Sequence, residues 1–544
     1  MRSLPFLLAA SLVACSGPAE PPASAPVPFQ AEIWSGEAKP LKKLLFDSIR
    51  ARSLETAALT PLATADFRAE PFTGRTGPSR AQSGVVLQDW SAVDATLDAS
   101  AFIADWNAWL AGFASIDTLE IHTWEVQSSG DQLDTVESIW VVGHATDGRR
   151  REDRMGLTLG FTKTADGWRL RSVGARDART AQAPGQAYVD VTDSALPPGR
   201  DQTGTQLYTD GGPALADVDG DGDIDLFLPR LHAPAKLYLN DGEGRFADGT
   251  QQLGLALSVL KAGTNSGLLI DVENDGDVDL LVGVKEKGLL LLLNEGDRFR
   301  RGHPGFLAGA GQWETLAAAD YDGDGLLDVY ACNYGLIDTT HQPESYVDAK
   351  DGLPNVLLRN TPDGELPFTD VTQQVGMADE ATRWTYAAAW ADYDRDGDMD
   401  LYVANDYGPN VLYRNEGGRF ADVTGESGTA DAGNGMSALW FDHDADGWLD
   451  LYVSNMQSFA GNRLTRLAEF PGTEEERALY RRFSQGNTLL KNHGDGTFTD
   501  VTVESGAKPA FWAWGALATD ADNDGDEDLF SSAGMYTGAR AADT

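Results

Sequence analysis

The stretch ADYDRDGDMDLYVAN, residues 391–405, places five aspartates at alternate positions and then continues into apolar residues. Carboxylates this close together repel one another, so the stretch is either a solvated tail or a loop that holds a cation. The same pattern, D-x-[DE]-x-D-G-x-x-D, occurs six times in the chain. We number these acidic loops 1 to 6 by their first residues, which are Asp217, Asp271, Asp320, Asp392, Asp442 and Asp520.

Every copy keeps glycine at its sixth position, as Gly222 and Gly397 illustrate. A disordered acidic tail has no reason to keep one glycine at one place. A backbone that turns through a positive φ has such a reason, because glycine alone adopts that conformation without a steric cost. The pattern therefore predicts six ordered turns.

The chain has 544 residues and a formal net charge of -42, and 29 of its 84 acidic residues lie in the six loops. This length predicts two or three domains with an ample core. A protein this acidic is a poor partner for nucleic acid, so we expect no nucleic-acid binding.

The N-terminus, MRSLPFLLAASLVACSG, has a charged residue and then an apolar stretch that is too short to span a membrane. Residues 1–14 are predicted to be a signal peptide. LVAC resembles a bacterial lipobox, which implies a lipid on Cys15, and the alternative is an ordinary signal peptide. Residues 15–29 read as a Pro/Ala-rich tether. These features predict an exported lipoprotein of the cell envelope, at the outer membrane or cell surface.

Between the acidic loops, segments such as NVLYRNEGGRFADVT show two short strands joined by a glycine-rich turn, which is typical of a β-hairpin. Each repeat then has four antiparallel strands, and such repeats indicate a β-propeller. We expect six blades, with seven as the alternative, over residues 185–544. Residues 457–486 interrupt this pattern, and a capping box at Thr473 and Glu476 predicts a helix there.

In a tight turn, alternate carboxylates point to one side, the seventh residue can offer its carbonyl, and the ninth Asp closes the site. Calcium takes six to eight oxygen ligands in flexible geometry, so it fits better than magnesium. An EF-hand is excluded because position twelve is apolar or small, as at Val403. We expect about six calcium sites. The candidate ligands are Asp217, Asp219, Asp221, Asp223, Asp225, Asp271, Glu273, Asp275, Asp277, Asp279, Asp320, Asp322, Asp324, Leu326, Asp328, Asp392, Asp394, Asp396, Asp398, Asp400, Asp442, Asp444, Asp446, Trp448, Asp450, Asp520, Asp522, Asp524, Asp526 and Asp528.

The loops and hairpins resemble FG-GAP/VCBS repeats, the calcium-loop propeller blades found in integrin alpha chains. Their arrangement is similar to bacterial members of the cartilage-acidic-protein family, over about two-thirds of the chain. The resemblance implies carboxylate ligands at positions one, three, five and nine and a backbone carbonyl at position seven. Leu326 and Trp448 suit that carbonyl role, and Glu273 departs from the family pattern.

Residues 30–180 lack the repeat and are predicted to form a separate α+β domain. The segment DASAFIADWNAWLAGF places Phe102, Trp106, Trp109, Leu110 and Phe113 on one helical face. Several strand patterns follow, and a helix on a curved sheet is similar to the NTF2-like fold. His122 and His144 are interpreted as ordinary structural histidines, and Cys332 as a small core residue.

Two functions are compatible with these features. The first is a binding, adhesion or scaffold module that presents loops to a protein or glycan partner. The alternative is an enzyme, a hydrolase or carbohydrate-active protein, that uses the propeller axis or the N-terminal domain. No nucleophile-elbow, zinc-protease or phosphate-loop motif supports catalysis, so no catalytic residue is predicted. Trp313, Trp384, Trp512 and Trp514 are candidate ligand-binding residues, with packing between blades as the alternative.

Overall fold

The computed structural model describes residues 30–533 apart from 83–84, 94, 186–190, 197–211, 232, 336–342, 346, 363–366, 378–381, 468–469, 509–511 and 522–524. Cys15, the tether, Asp522 and Asp524 lie outside the described residues. The chain divides into two compact units. The N-terminal unit contains the described residues before 190 together with Phe459–Arg477, and the repeat unit contains the remainder. None of the described helices combines the length and apolar character needed to cross a membrane.

The N-terminal unit is an α+β domain. Its helices are α1 (Gln30–Glu37), α2 (Lys39–Ala51), α3 (Thr56–Leu59) and α4 (Ala99–Ala111), with a 3-10 turn at Thr60–Leu62. Its strands are β1 (Ala63–Ala69), β2 (Ser79–Gln82), β3 (Val85–Asp89), β4 (Phe113–Ser129), β5 (Gln132–Ala145), β6 (Arg150–Thr164) and β7 (Gly167–Ala183). They form one sheet in the order β2-β3-β7-β6-β5-β4, and β1 pairs with β7 in parallel.

Helix α4 follows the amphipathic pattern predicted for it. Asp98 caps its first turn by accepting hydrogen bonds from the N–H groups of Ser100 and Ala101. Phe102 and Trp106 are fully buried against the sheet. Phe113, which we had placed on the same helical face, is instead the first residue of β4, although it is buried in the same core. The helix ends at Ala111, and after Gly112 the chain continues directly as the extended strand β4.

The insertion between repeats contains α7 (Phe459–Leu464) and α8 (Glu474–Phe483). The predicted capping box is present, since Thr473 and Glu476 exchange side-chain hydrogen bonds with each other's backbone N–H groups. The domain boundary predicted from the sequence placed residues 457–486 in the repeat domain, whereas residues 459–477 pack within the N-terminal unit. Phe459 stacks on His122 with ring centroids 4.3 Å apart. Arg463 forms an ion pair with Glu32, which fixes α7 against this unit.

The repeat unit begins with α5 (Thr192–Ala195) and contains a series of antiparallel sheets. We number them by the acidic loop that each one carries between its first and second strands. Sheet 1 contains β8 (Ala214–Ala216), β9 (Asp225–Leu228), β10 (Lys236–Asn240) and β11 (Phe246–Asp248). Sheet 2 contains β12 (Thr264–Ile270), β13 (Asp279–Val284), β14 (Gly288–Asn294) and β15 (Phe299–Arg301), after a 3-10 turn at Ser258–Ala262.

The remaining sheets repeat this order. Sheet 3 contains β16 (Trp313–Ala319), β17 (Asp328–Asn333), β18 (Val356–Asn360) and β19 (Phe368–Asp370). Sheet 4 contains β20 (Thr385–Ala391), β21 (Asp400–Asn405), β22 (Val411–Asn415) and β23 (Phe420–Asp422), followed by α6 (Thr424–Ser427). Sheet 5 contains β24 (Gly435–Phe441), β25 (Asp450–Asn455), β26 (Thr488–Asn492) and β27 (Phe498–Asp500), followed by α9 (Thr502–Ser505). Sheet 6 has two strands in the described part of the chain, β28 (Ala513–Thr519) and β29 (Asp528–Ala533).

Consecutive sheets pack face to face. Because successive residues of a strand point to opposite faces, one strand can contribute to a core on each side of its sheet. In β13, Leu280 and Val282 join a core with sheet 1, while Leu281 joins a core with sheet 3. Similar shared cores connect sheets 3 and 4, sheets 4 and 5, and sheets 5 and 6. This double burial explains why the second strands of sheets 2 to 5 are almost continuously buried.

In sheets 2 to 5, an asparagine at the end of the third strand connects the sheet to the sheet before it. The Asn415 side chain donates to the carbonyl of Tyr321, the second residue of loop 3, at 2.7 Å. Asn294, Asn360 and Asn492 form the equivalent bond at 2.8 to 2.9 Å. The repeated Asn of the hairpin motif therefore holds neighbouring loops in a fixed relation.

Candidate metal sites in the acidic loops

The acidic loops turn as the sequence predicted. Their sixth-position glycines all have φ between 87° and 97°. The fourth position is also left-handed in every loop where it is described, and Arg395 adopts φ 60° there. A non-glycine residue in this conformation carries some strain, so the surrounding loop must hold it in place.

The first aspartate of each loop organises the turn. Asp217 accepts hydrogen bonds from the N–H groups of Gly220, Asp221 and Gly222 at 2.9 to 3.1 Å. In loops 2 to 6 the first aspartate likewise accepts from the sixth-position glycine. These bonds aim the carboxylate into the loop, where the third residue also points.

The ninth aspartate fastens the loop to its sheet. Asp400 is fully buried, its Oδ1 accepts from the N–H of Asn415 at 2.7 Å, and its Oδ2 accepts from the N–H of Tyr393. Loops 1, 2, 3 and 5 contain the same pair of bonds. Each carboxylate oxygen still has a second lone pair, so this clamp and a role as metal ligand are compatible.

The loops bring carboxylates from positions one, three and nine together. Three such groups have ligand atoms within 4.8 Å of one another, and they are Asp217–Asp219–Asp225, Asp320–Asp322–Asp328 and Asp392–Asp394–Asp400. Loop 5 brings together Asp442, Asp444 and Asp446. No such group is found in loop 2 among the described residues, and that loop carries Glu273, whose side chain is one methylene longer than aspartate.

His443 occupies the second position of loop 5, which carries no ligand in the loop pattern predicted from the sequence. The structure brings its Nδ1 to 2.5 Å from Asp450 Oδ2, and the two residues form a further convergent group with Asp444. Nothing in the linear pattern indicates this contact, since the second residue of loops 1 to 4 is a buried valine or tyrosine. Loop 5 is therefore chemically different from the others.

The electrostatics of the loops favour a bound cation. Burial, together with neighbouring carboxylates, raises the pKa of Asp219 and of Asp394. Burial raises the pKa of Asp279 to about 6, of Asp328 to about 7 and of Asp400 to about 8. Each shift reports a buried negative charge that the protein's own hydrogen bonds compensate only in part.

Two carboxylate oxygens in these groups, Asp322 Oδ1 and Asp392 Oδ1, are buried without a hydrogen-bond partner. Buried polar atoms normally have a partner, so these oxygens are available as ligands. The available donors are carboxylate oxygens. Calcium prefers oxygen ligands and accepts six to eight of them in flexible geometry. The residues present therefore fit a calcium ion, which would neutralise the loop and connect its carboxylates.

The side chains at position seven lie outside the convergent groups. Asp398 instead accepts a hydrogen bond from the N–H of Gly417 at 2.7 Å. At Leu326 and Trp448 the backbone N–H donates to the fifth-position carboxylate. In loop 6, Asp520 and Asp528 accept hydrogen bonds from the backbone as their counterparts do. The carbonyl role of position seven stays a prediction.

The four candidate tryptophans lie in two environments. Trp313 and Trp384 are buried, at 2% and 3% exposure, and pack in cores beside neighbouring strands. Trp512 and Trp514 stack in parallel with their centroids 6.3 Å apart, and Trp514 is 37% exposed. Ligand stacking is thus a prediction that only Trp512 and Trp514 can fulfil in this conformation. Cys332 is a free, fully buried cysteine, as its place in the repeat predicted.

Comparison with known proteins agrees with the repeat. A family model described as FG-GAP-like repeat matches residues 217–282, 271–331, 392–453 and 479–531. Mouse (Mus musculus) cartilage acidic protein 1 is 23% identical over 407 residues, which cover 64% of this chain. The chain spans 60% of the length of that relative.

Similar solved structures cover parts of the chain. The Kfla4162 protein from Kribbella flavida matches 27% of this chain and 91% of its own at 19% identity and a TM-score of 0.21. A protein titled Rd1NTF2_04 with long sheet matches 26% of this chain and 99% of its own, at 10% identity and a TM-score of 0.18. The V. cholerae biofilm matrix protein Bap1 matches 53% of this chain and 38% of its own, at 14% identity and a TM-score of 0.29. The family-model match shows that this chain contains FG-GAP-like repeats, in residues 217–331, 392–453 and 479–531.

Proposed function

We propose that the repeat unit is a calcium-binding β-propeller that serves as a binding, adhesion or scaffold module at the cell envelope. The observation that carries this proposal is the recurrence of one loop geometry, in which carboxylates from positions one, three and nine converge in loops 1, 3 and 4. Calcium in these loops would supply the positive charge that the buried carboxylates lack. It would act as a structural ion, because it joins the loop to the strands that follow.

The way in which the series of sheets ends supports a propeller. In sheet 1, Ala214 and Ala216 pack toward sheet 2, while Leu215 on the other face is 61% exposed. In sheet 6, Leu529 packs toward sheet 5, while Phe530 on the other face is 64% exposed. Both ends of the series thus present an apolar face, and closing the series into a ring would cover both.

The partner and the location rest on the sequence. A lipid on Cys15 would hold the module at the membrane, and the tether would let it reach a protein or glycan ligand. The FG-GAP repeats of the family support a binding module, and the exposed Trp514 offers an aromatic face for such a ligand.

The test of the calcium proposal is thermal unfolding with and without the ion. Binding to the folded state alone stabilises it by about 2.7 kcal/mol per site when free calcium is a hundred times the dissociation constant. Chelation should therefore lower the melting temperature of the repeat unit by more than about ten degrees. Calcium should restore it better than magnesium. An unchanged melting temperature after chelation would refute calcium as a structural ion.

A further inference from the structure

The acidic loops differ in one residue that lies outside their own motif. The third strand of each of sheets 1 to 5 ends in an asparagine, and the residue before this asparagine varies. Sheets 1 and 2 have Leu239 and Leu293 at this position, whereas sheets 3, 4 and 5 have Arg359, Arg414 and Lys491. Because the asparagine N–H bonds to the ninth aspartate, the preceding side chain lies beside the same loop.

In loop 3 this basic residue contacts the carboxylates that would bind calcium. Arg359 Nε lies 2.6 Å from Asp322 Oδ2, and Arg359 Nη2 donates to Asp324 Oδ2 at 3.0 Å. Asp322 belongs to the convergent group of loop 3 and occupies its third position. The guanidinium therefore neutralises the third and fifth carboxylates of its own loop.

Loop 5 contains the same arrangement with an ammonium group. Lys491 Nζ forms ion pairs with Asp444 and with Asp446, the latter at 2.9 Å. Both carboxylates belong to the convergent group of loop 5.

Loop 4 shows what happens when the basic residue is held elsewhere. Arg414 Nη2 donates to Glu416 Oε1 at 2.6 Å, so the guanidinium is directed toward the following turn. Within the described part of the chain, the ion pair of Arg414 is with Glu416 and not with Asp394, the third residue of loop 4. Loop 4 thus resembles loop 1, where leucine replaces the basic residue.

We propose that the acidic loops form two affinity classes for calcium, set by these third-strand residues. Loops 1 and 4 bind calcium first. Loops 3 and 5 bind it later, because the ion must displace Arg359 or Lys491 from the carboxylates. This inference rests on the proposed calcium binding and adds its regulation, since the repeat unit would respond to calcium in two steps rather than one.

The size of the difference follows from simple electrostatics. A unit positive charge about 5 Å from a divalent ion opposes its binding by about tenfold in affinity, even at the dielectric constant of water. Exposed ion pairs are individually weak, so calcium can displace these side chains at higher concentration. Lysine and arginine have long flexible stems and can move into solvent when that happens.

The experiment is a calcium titration of the metal-free full chain, followed by hydrogen exchange of peptides that cover each loop. In the wild-type protein, loops 1 and 4 should gain protection at about tenfold lower calcium than loops 3 and 5. Arg359→Leu copies the residue of sheet 1 and should shift the midpoint of loop 3 alone by about tenfold toward lower calcium. Lys491→Leu should do the same for loop 5.

Two further variants separate this mechanism from a general change in stability. Arg414→Leu is the matched control, since its guanidinium is already held by Glu416, and should leave the loop 4 midpoint unchanged within about twofold. Glu416→Gln releases Arg414 and should move loop 4 toward the weaker class. Arg359→Gln, a polar substitution, should reproduce the effect of Arg359→Leu.

The outcomes are distinct. If all loops gain protection at one calcium concentration, or if Arg359→Leu and Arg359→Gln leave the loop 3 midpoint unchanged, the two-class inference is overturned while calcium binding stands. If no loop gains protection, calcium binding by the repeat unit is overturned together with it.

Discussion

The buried ninth aspartates make the metal-free protein sensitive to pH, and Asp400 gives the clearest case. Burial raises its pKa from 3.8 to about 8, so between these values the folded protein binds a proton that the unfolded chain releases. The free energy of unfolding must therefore fall as pH rises through this window. The contribution of Asp400 to the free energy of unfolding is greatest below its pKa in the unfolded chain, and it is lost above about pH 8.

The magnitude follows from the proton linkage. Each pH unit within the window changes the free energy of unfolding by about 1.4 kcal/mol for one group. Between about pH 5 and about pH 7, Asp400 alone accounts for about 3 kcal/mol. Asp279 and Asp328 act in the same direction over narrower windows, since their pKa values rise to about 6 and about 7. Calcium, if bound as proposed, would stabilise the ionised carboxylates and should remove most of this dependence.

The assay is urea unfolding in EDTA at several pH values, with hydrogen exchange of β21 and β22 as the readout. A local readout is needed because a chain of two units need not unfold in one step. Asp400→Asn removes the titrating group and should reduce the slope of the free energy of unfolding against pH. Asp396→Asn, at an exposed position of the same loop, should leave most of that slope. A slope that is absent in EDTA, or one that calcium leaves unchanged, would contradict the reasoning.

Three further predictions concern the ligand roles, the ring and the anchor. Asp396→Ala should lower the calcium affinity of loop 4 by about tenfold, while Asp398→Ala, whose side chain bonds to Gly417 instead, should change it by less than about threefold; equal losses in calorimetry would show that the roles are misassigned. Phe530→Ser should lower the melting temperature if ring closure covers this side chain, and an unchanged or higher value would argue for an open series. Cys15→Ser should release the protein from the membrane fraction, and unchanged fractionation would exclude the lipid anchor.

The sequence alone determined the features that depend on short stretches of chain. A loop of nine residues contains its own turn, so the positive φ at Gly397 and the hairpin after it could be predicted from spacing and residue type. The prediction of a hard cation is equally local, since it rests on the carboxylates that each loop contains. The capping box at Thr473 and Glu476 is a contact between residues three positions apart, and it was predicted for the same reason.

Only the tertiary structure decided which groups meet across larger distances. Asn415 reaches the carbonyl of Tyr321, 94 residues earlier, and Arg359 reaches the carboxylate of Asp324, 35 residues earlier. The repeat pattern shows that such residues exist but not which neighbour each one contacts. The same limit applies to α7, whose packing in the N-terminal unit depends on the ion pair between Arg463 and Glu32, 431 residues apart. Local geometry is encoded by neighbouring residues, whereas these contacts are fixed by how the sheets and helices pack once they have formed.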